Sequence, residues 1–180
     1  MDCRRQVHRF SQGAAAFPYG GAMRRSIQRM KFQNRREYLD GYAWYMARQA
    51  RPRLPVWRPE LVCPIPLHPA KRRRRGFDQS RLLAQKLGDF LELPVDTEAL
   101  VRVRNTRPQK LLPGSERRKN MRGAFACAAE KADCIRGKRI VLVDDVYTTG
   151  ATADSAAGAL LDAGADRVFL LLVCIGSENS

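Results

Sequence analysis

The sequence predicts an α/β fold: a mostly parallel sheet flanked by helices, with a helical stretch ahead of it. Three observations carry this. Residues 140–143 (Ile-Val-Leu-Val) and 168–175 are short, wholly apolar runs, the mark of strands buried on both faces of a parallel sheet. Between them, 152–163 carries Ala153, Ala156, Ala157, Leu160 and Leu161 at helical spacing, closed by Gly164. A third apolar run at 61–66 is followed by a helical pattern over 80–91, so the strand-then-helix order recurs.

In chain order, residues 1–18 are polar, Arg-rich and weakly patterned, and are expected to be loose. From Gly21, Met23, Ile27 and Met30 share one helical face. A second helix shows Leu39, Tyr42, Ala43 and Met46 at i, i+3, i+4 and i+7. Pro52, Pro55 and Pro59 then predict an extended connector. The run Leu61-Val62-Cys63-Pro64-Ile65-Pro66 reads as a buried strand stopped by prolines. Leu67, His68, Pro69 and Ala70 follow, then five cations, Lys71 to Arg75, and Gly76. The helix over 80–91 turns Leu83, Leu87, Phe90 and Leu91 inward. A strand is expected within 94–103 and a short one at 125–128. Residues 104–122 form a long polar stretch rich in Arg and Lys. A stretch of that length without apolar period often marks a lid, and the plainer alternative is an inert surface loop.

A chain of 180 residues suits one domain. Its net charge of +15 is uneven: residues 1–122 hold 28 Lys and Arg against 10 acids, and 123–180 hold 5 against 8. The surplus suits polyanions, whether pyrophosphate, nucleotides or nucleic acid, or serves general solubility. The five cysteines show no CxxC, and Cys63 and Cys174 lie in apolar runs. They read as buried free thiols in a reducing compartment. The longest apolar run has eight residues, against the ~20 a spanning helix needs, and 14–17 is too short for a signal peptide. No membrane insertion and a cytoplasmic location are expected.

The most informative stretch is Val-Asp144-Asp145-Val-Tyr147-Thr148-Thr149-Gly150-Ala151-Thr152. A strand tip leading through a small polar turn into a helix offers free N–H groups and the positive end of a helix dipole, an anion site. Gly150 lets the backbone approach that anion closely. The two acids would repel a phosphate, so they should face hydroxyls or a metal, and a sugar phosphate meets both demands. The bland alternative is a buried strand with Asp145 capping a helix. No lysine follows the glycine, so this is not a Walker A loop. The cations 71–75 after a strand end read as an anion funnel, a nucleic-acid patch or a solvated loop.

The segment VLVDDVYTTGAT resembles, over its full length, the phosphoribosyl pyrophosphate (PRPP) motif of type I phosphoribosyltransferases. With PIPLHP, RRRRGFDQS, TRPQ and RRKNMRGAF, in that order and spacing, the chain resembles the ComF (GntX-like) branch of that family across roughly residues 17–176. GGAMRRSIQRMKF is similar to the Lys-Phe helix that precedes the family's core. The resemblance implies a phosphoribosyltransferase-like core over 61–176 and a helical hood and connector over 19–60. Asp144 and Asp145 would meet the ribose hydroxyls, and Thr148, Thr149, Gly150, Ala151 and Thr152 the 5′-phosphate. Pro66, Leu67, His68, Lys71 and Arg75 would take the pyrophosphate. The 104–122 segment, with Arg104 and Lys110, would be the catalytic loop. Mg²⁺ would arrive with PRPP near Asp144 and Asp145, without direct protein ligands.

The implied activity is transfer of the phosphoribosyl group to an unknown acceptor. The competing reading is a non-catalytic module binding single-stranded DNA alongside the DNA-uptake machinery of competence. A homodimer is common in the family. Two departures stand out. Family members usually begin with a zinc module of paired CxxC motifs, of which Cys3 alone would remain, so no structural zinc is expected, and the departure reads as either a shortened gene or a misplaced start. Asp78 also stands where the family has Asn.

Overall fold

The structure of the chain, a computed structural model, describes residues 7–104, 106 and 114–176. Its centre is a four-stranded, all-parallel sheet in the order β1 (Gln12–Pro18), β6 (Arg167–Ile175), β5 (Arg139–Tyr147), β2 (Leu61–Pro64). The helices are α1 (Gly21–Phe32), α2 (Tyr38–Ala50), α3 (Pro69–Arg75), α4 (Gln79–Leu91), α5 (Gly114–Met121) and α6 (Ala151–Asp162). Short strands β3 (Leu100–Arg102) and β4 (Phe125–Cys127) pair antiparallel as a separate ribbon.

Strand alternation divides the core into two layers. Val62, Val141, Val143, Phe169, Leu171 and Val173 face Ile27 and Met30 of α1, Leu39 and Met46 of α2, and Leu83 and Leu87 of α4. Leu61, Cys63, Ile140, Leu142, Leu170 and Leu172 face Ala153, Ala156 and Leu160 of α6, Met121 of α5, and Leu100 and Phe125 of the ribbon. β5 is therefore sandwiched between helices on both faces, as its unbroken apolar run requires. Cys63 and Cys174 are buried free thiols, and burial pushes both up in pKa, Cys174 to about 12. Among the described residues no helix is long and apolar enough to cross a membrane.

Several expectations are corrected. The segment expected to be loose carries β1, the sheet's edge strand, with Ala14 buried and Phe10 buried ahead of it. Its small apolar residues fit beside β6, a partner far along the sequence. The connector 51–57 is helical: Pro52 and Pro55 fall in first-turn positions, where a missing N–H costs nothing. Trp57 from this turn stacks on Phe169 at 4.9 Å and donates to Gln12 Oε1 at 2.7 Å, tying the connector to β1. The cation run is the helix α3 rather than a loop. His68 caps it, Pro69 starts it, and Gly76 closes it at φ +80°. In α4, Phe90 is exposed instead of inward. The strand within 94–103 shortens to β3, with Val95 bridging Val62. β5 runs four residues past Val143, so the aspartate pair lies inside the strand.

Candidate functional site

Because Asp144 and Asp145 are consecutive strand residues, they leave β5 toward opposite faces. Asp144 is half-buried and lines a cavity of about 40 Å³ with Tyr147, Thr148, Thr149, Gly150 and Ala151. At roughly 10–15 Å³ per water, that space suits a group of phosphate scale. Gly150 sits at φ +76° as the N-cap residue of α6, so the first amides of α6 open onto the turn. Thr149 is buried, Thr148 is exposed, and Thr152 lies one residue into the helix.

The turn is buttressed from a direction the sequence did not suggest. A Cβ on Gly150 would lie 2.6 Å from the Tyr147 hydroxyl and 3.1 Å from His8 Cε1. His8 Nδ1 meets Asp154 at 2.9 Å, the Arg9 N–H donates to the same carboxylate at 3.0 Å, and Arg9 pairs with Asp162 at 2.5 Å. The His8 ring stacks on Phe10 at 4.7 Å and lies 3.4 Å, through Nε2, from the Tyr147 hydroxyl. The N-terminal segment is thus bound to α6 and to the phosphate-sized turn.

The two acids have different partners. Asp144 Oδ1 accepts from Ser80 Oγ at 3.0 Å and from the Asp145 N–H at 2.8 Å. No described group donates to Asp144 Oδ2. Burial, and then the neighbouring Asp145 charge, hold the Asp144 carboxyl well above the usual carboxylate range. Asp145 is buried, and its Oδ2 takes Lys31 Nζ at 2.5 Å and Gln79 Nε2 at 3.2 Å. Lys31 is the lysine of the Lys-Phe pair at the end of α1.

The block RGFDQS builds the support. Arg75 donates to Gln79, Gln79 to Asp145, and Ser80 to Asp144. Phe77 is buried under the Arg36 guanidinium. Asp78, the departure from the family pattern, caps α4: Oδ1 accepts from the Ser80 and Arg81 N–H groups, and Oδ2 accepts from the Leu67 N–H at 3.0 Å. It therefore fixes the loop Pro66-Leu67-His68 against α4. His68 spends Nδ1 on the Ala70 N–H as the cap of α3.

Lys31, Arg75 and Arg102 lie within the field of the two acids, and Lys71 lies among these cations. Lys71 is half-buried, and its pKa is lowered by burial first and then by Arg102, Arg75, Lys31 and Arg74. Burial also lowers Arg75, against the pull of Asp145, Asp78 and Asp144. Burial lowers Arg102 against the charge of Asp144, while Arg102 donates to Thr106, lies over the Phe125 ring, and leaves Nε buried without a described partner. Mutual repulsion of this kind is relieved by a bound polyanion. Arg72, Arg73 and Arg74 point outward and are exposed.

Arg102 was missed at the level of sequence because it ends a short apolar strand. Arg104, chosen there, is exposed and donates to the Arg122 carbonyl at 2.6 Å. The expected lid is in part the helix α5, held by buried Met121, whose carbonyl accepts from Ser155 of α6 at 2.5 Å. Lys110, with Arg107 and Gln109, lies outside the described residues.

The chain is 34% identical over 145 residues to Competence protein F of Haemophilus influenzae, covering 79% of this chain and 63% of that protein. It is 33% identical over 151 residues to DNA utilization protein YhgH of Escherichia coli K12, covering 82% and 65%. These competence and DNA-utilization proteins are homologues of the chain over most of its length. Competence protein ComFC of Bacillus subtilis, 30% identical over 154 residues, extends the match to 85% of this chain and 59% of that protein. The chain spans less than two thirds of the length of these relatives. No family model matches it. Among solved structures it is similar to the glutamine PRPP amidotransferase of B. subtilis complexed with ADP and GMP, at 22% identity and a TM-score of 0.41, covering 62% of this chain and 21% of that one.

Proposed function

We propose that this chain binds PRPP with Mg²⁺ and transfers its phosphoribosyl group to an acceptor nitrogen, pyrophosphate leaving. One observation carries the reading. A half-buried carboxylate, an amide-lined turn of phosphate size and a crowd of under-neutralised cations converge at one strand tip. That combination matches a ligand with a phosphate, adjacent hydroxyls and a second, more highly charged phosphate group.

In this reading the α6 turn holds the 5′-phosphate, and Asp144 Oδ2 accepts a ribose hydroxyl. Lys71, Arg75 and Arg102 draw the pyrophosphate. The acceptor nitrogen forms its bond to C1 as the bond from C1 to the pyrophosphate oxygen breaks, and the electron pair leaves with pyrophosphate. Cations preplaced on the leaving-group side lower the barrier because charge develops there. Asp145 holds Lys31 and Gln79 in position. Among the described residues no three His, Cys, Asp or Glu side chains converge as a metal cage. Asp144 with ligand oxygens and water fits the way Mg²⁺ is usually bound, through one or two carboxylates and phosphates. When bound, Mg²⁺ would neutralise charge on the departing pyrophosphate.

A thermal-shift panel tests this. A ligand that binds only the folded state raises Tm, by about 2.7 kcal/mol of stabilisation at 100 times its Kd. PRPP with Mg²⁺ is expected to raise Tm, and EDTA to abolish most of the rise. A rise with free bases but not with PRPP contradicts the reading. Gly150→Ala is a second expected loss. Its methyl would strain a left-handed position and press on Tyr147, and ribose 5-phosphate should bind at least tenfold more weakly. Titration by NMR reads that directly.

A second reading draws on the exposed trio Arg72, Arg73 and Arg74 on α3 and on the competence and DNA-utilization names of the relatives. Single-stranded DNA would lie along α3, with an affinity that falls steeply with salt. Absence of that salt dependence removes it.

A further inference from the structure

We infer that His8 is a positioning residue for the turn around Gly150, and that its charge, set against Asp154, makes this turn hold a phosphate monoester more tightly as pH falls; this rests on the reading of the turn as the 5′-phosphate site. The imidazole is built into the back of the turn. Its side chain is only 4% exposed, it stacks on Phe10 at 4.7 Å, and its Cε1 stands 3.1 Å from where a Gly150 Cβ would lie.

The geometry selects the nitrogen that titrates. Nδ1 lies 2.9 and 3.1 Å from the two Asp154 oxygens. An ionised carboxylate only accepts, so Nδ1 carries a proton in the neutral and the charged ring alike. The proton that comes and goes is therefore on Nε2, which faces the Tyr147 hydroxyl at 3.4 Å. That hydroxyl lies 2.6 Å from the same Gly150 position. Protonation thus adds positive charge on the edge of the ring that meets the turn.

Asp154 is the acid in the first turn of α6, and its N–H donates to the Gly150 carbonyl at 2.8 Å. A carboxylate there draws on the positive end of the helix and competes with a bound phosphate for the same field. With His8 neutral, the pair leaves a net negative charge beside the turn. With His8 charged, the pair is balanced. Arg9 does not replace this balance: its N–H donates to Asp154, but its guanidinium is drawn away to Asp162 at 2.5 Å. The groups that face the ring are thus Tyr147 from β5, Asp154 from α6, and Phe10 and Arg9 from its own segment. Histidine is the side chain whose ordinary change of charge falls between about pH 5 and 8, which sets the range to scan.

The test uses the full chain and ribose 5-phosphate without Mg²⁺, titrated by NMR near about pH 6 and about pH 8. From the higher to the lower pH, the unaltered chain is expected to gain at least threefold more affinity than His8→Gln. The ligand's own phosphate and the Asp144 carboxyl titrate in both proteins and cancel in that ratio. Asp154→Asn removes the competing charge and is expected to bind at least threefold more tightly than the unaltered chain at the higher pH, a gain that a merely loosened turn does not produce. By linkage, saturating ligand is expected to raise the midpoint of the His8 imidazole titration. The chain has two histidines, so the signal lost in His8→Gln assigns it. Parallel pH profiles for the unaltered chain and His8→Gln, no gain in Asp154→Asn, or a His8 midpoint unmoved by ligand overturns the inference and leaves the phosphate site in place. No binding of ribose 5-phosphate at either pH strikes the phosphate site itself, and this inference with it.

Discussion

Asp145→Ala is expected to lower stability by about 2–3 kcal/mol, a drop in Tm of roughly 4–12 °C for a chain of this size. The Lys31–Asp145 pair joins α1 to the central strand, and the aspartate side chain is only 6% exposed. Removing the carboxylate strands the Lys31 ammonium and one Gln79 N–H. Truncating one member of a fully buried pair costs ~3–5 kcal/mol, because the survivor's charge stays uncompensated. The Lys31 side chain is 20% exposed and can reach toward water, which reduces the figure. Lys31→Met with Asp145→Leu removes both charges and should recover most of the loss. A double-mutant cycle by chemical denaturation gives the coupling directly. A single-mutant loss under about 0.5 kcal/mol would mean the pair does not hold α1.

The second large effect is expected on binding. Arg102→Met should weaken Mg²⁺–PRPP by about 10–100-fold, the worth of one or two charge-assisted hydrogen bonds. Stability should stay level or rise. Met keeps the apolar contact with Phe125, removes a guanidinium whose charge burial disfavours, and frees Lys71 from its neighbour's repulsion. A gain or no change in Tm together with a loss of affinity is characteristic of a residue held for its ligand. Arg104→Met serves as the control and is expected to change affinity less than threefold, since its guanidinium is committed to the Arg122 carbonyl. Equal losses from the two substitutions would contradict the placement of the pyrophosphate beside Arg102.

The parts legible in the sequence are those whose signals are local. The turn around Gly150, the helix after it and the buried runs of β5 and β6 each announce themselves within a dozen residues. The helix α3 was legible too, through His68, Pro69 and Gly76, but five adjacent cations argued for a loop. What stayed hidden depends on contacts between distant segments. Gln-Gly-Ala-Ala-Ala-Phe-Pro has little intrinsic strand preference, and becomes β1 because β6 presents an unpaired edge. His8 has no local motif, and its role comes from Asp154 and Tyr147. Lys31 was seen inside a resembling block, but nothing in the block says that it reaches Asp145. The sequence alone suggests one task for the aspartate pair, whereas the two-residue period of the strand gives the two acids opposite faces and different partners.

In the proposed reading, ligand binding turns on Asp144 and local architecture on Asp145. Calorimetric titration of Mg²⁺–PRPP into the full chain and into Asp144→Asn separates them most directly. A saturable, Mg²⁺-dependent heat for the unaltered chain, weakened at least tenfold in Asp144→Asn with Tm unchanged or raised, is the predicted result. No heat from the unaltered chain, or the same affinity in both proteins, would contradict a phosphorylated pentose held at this strand tip.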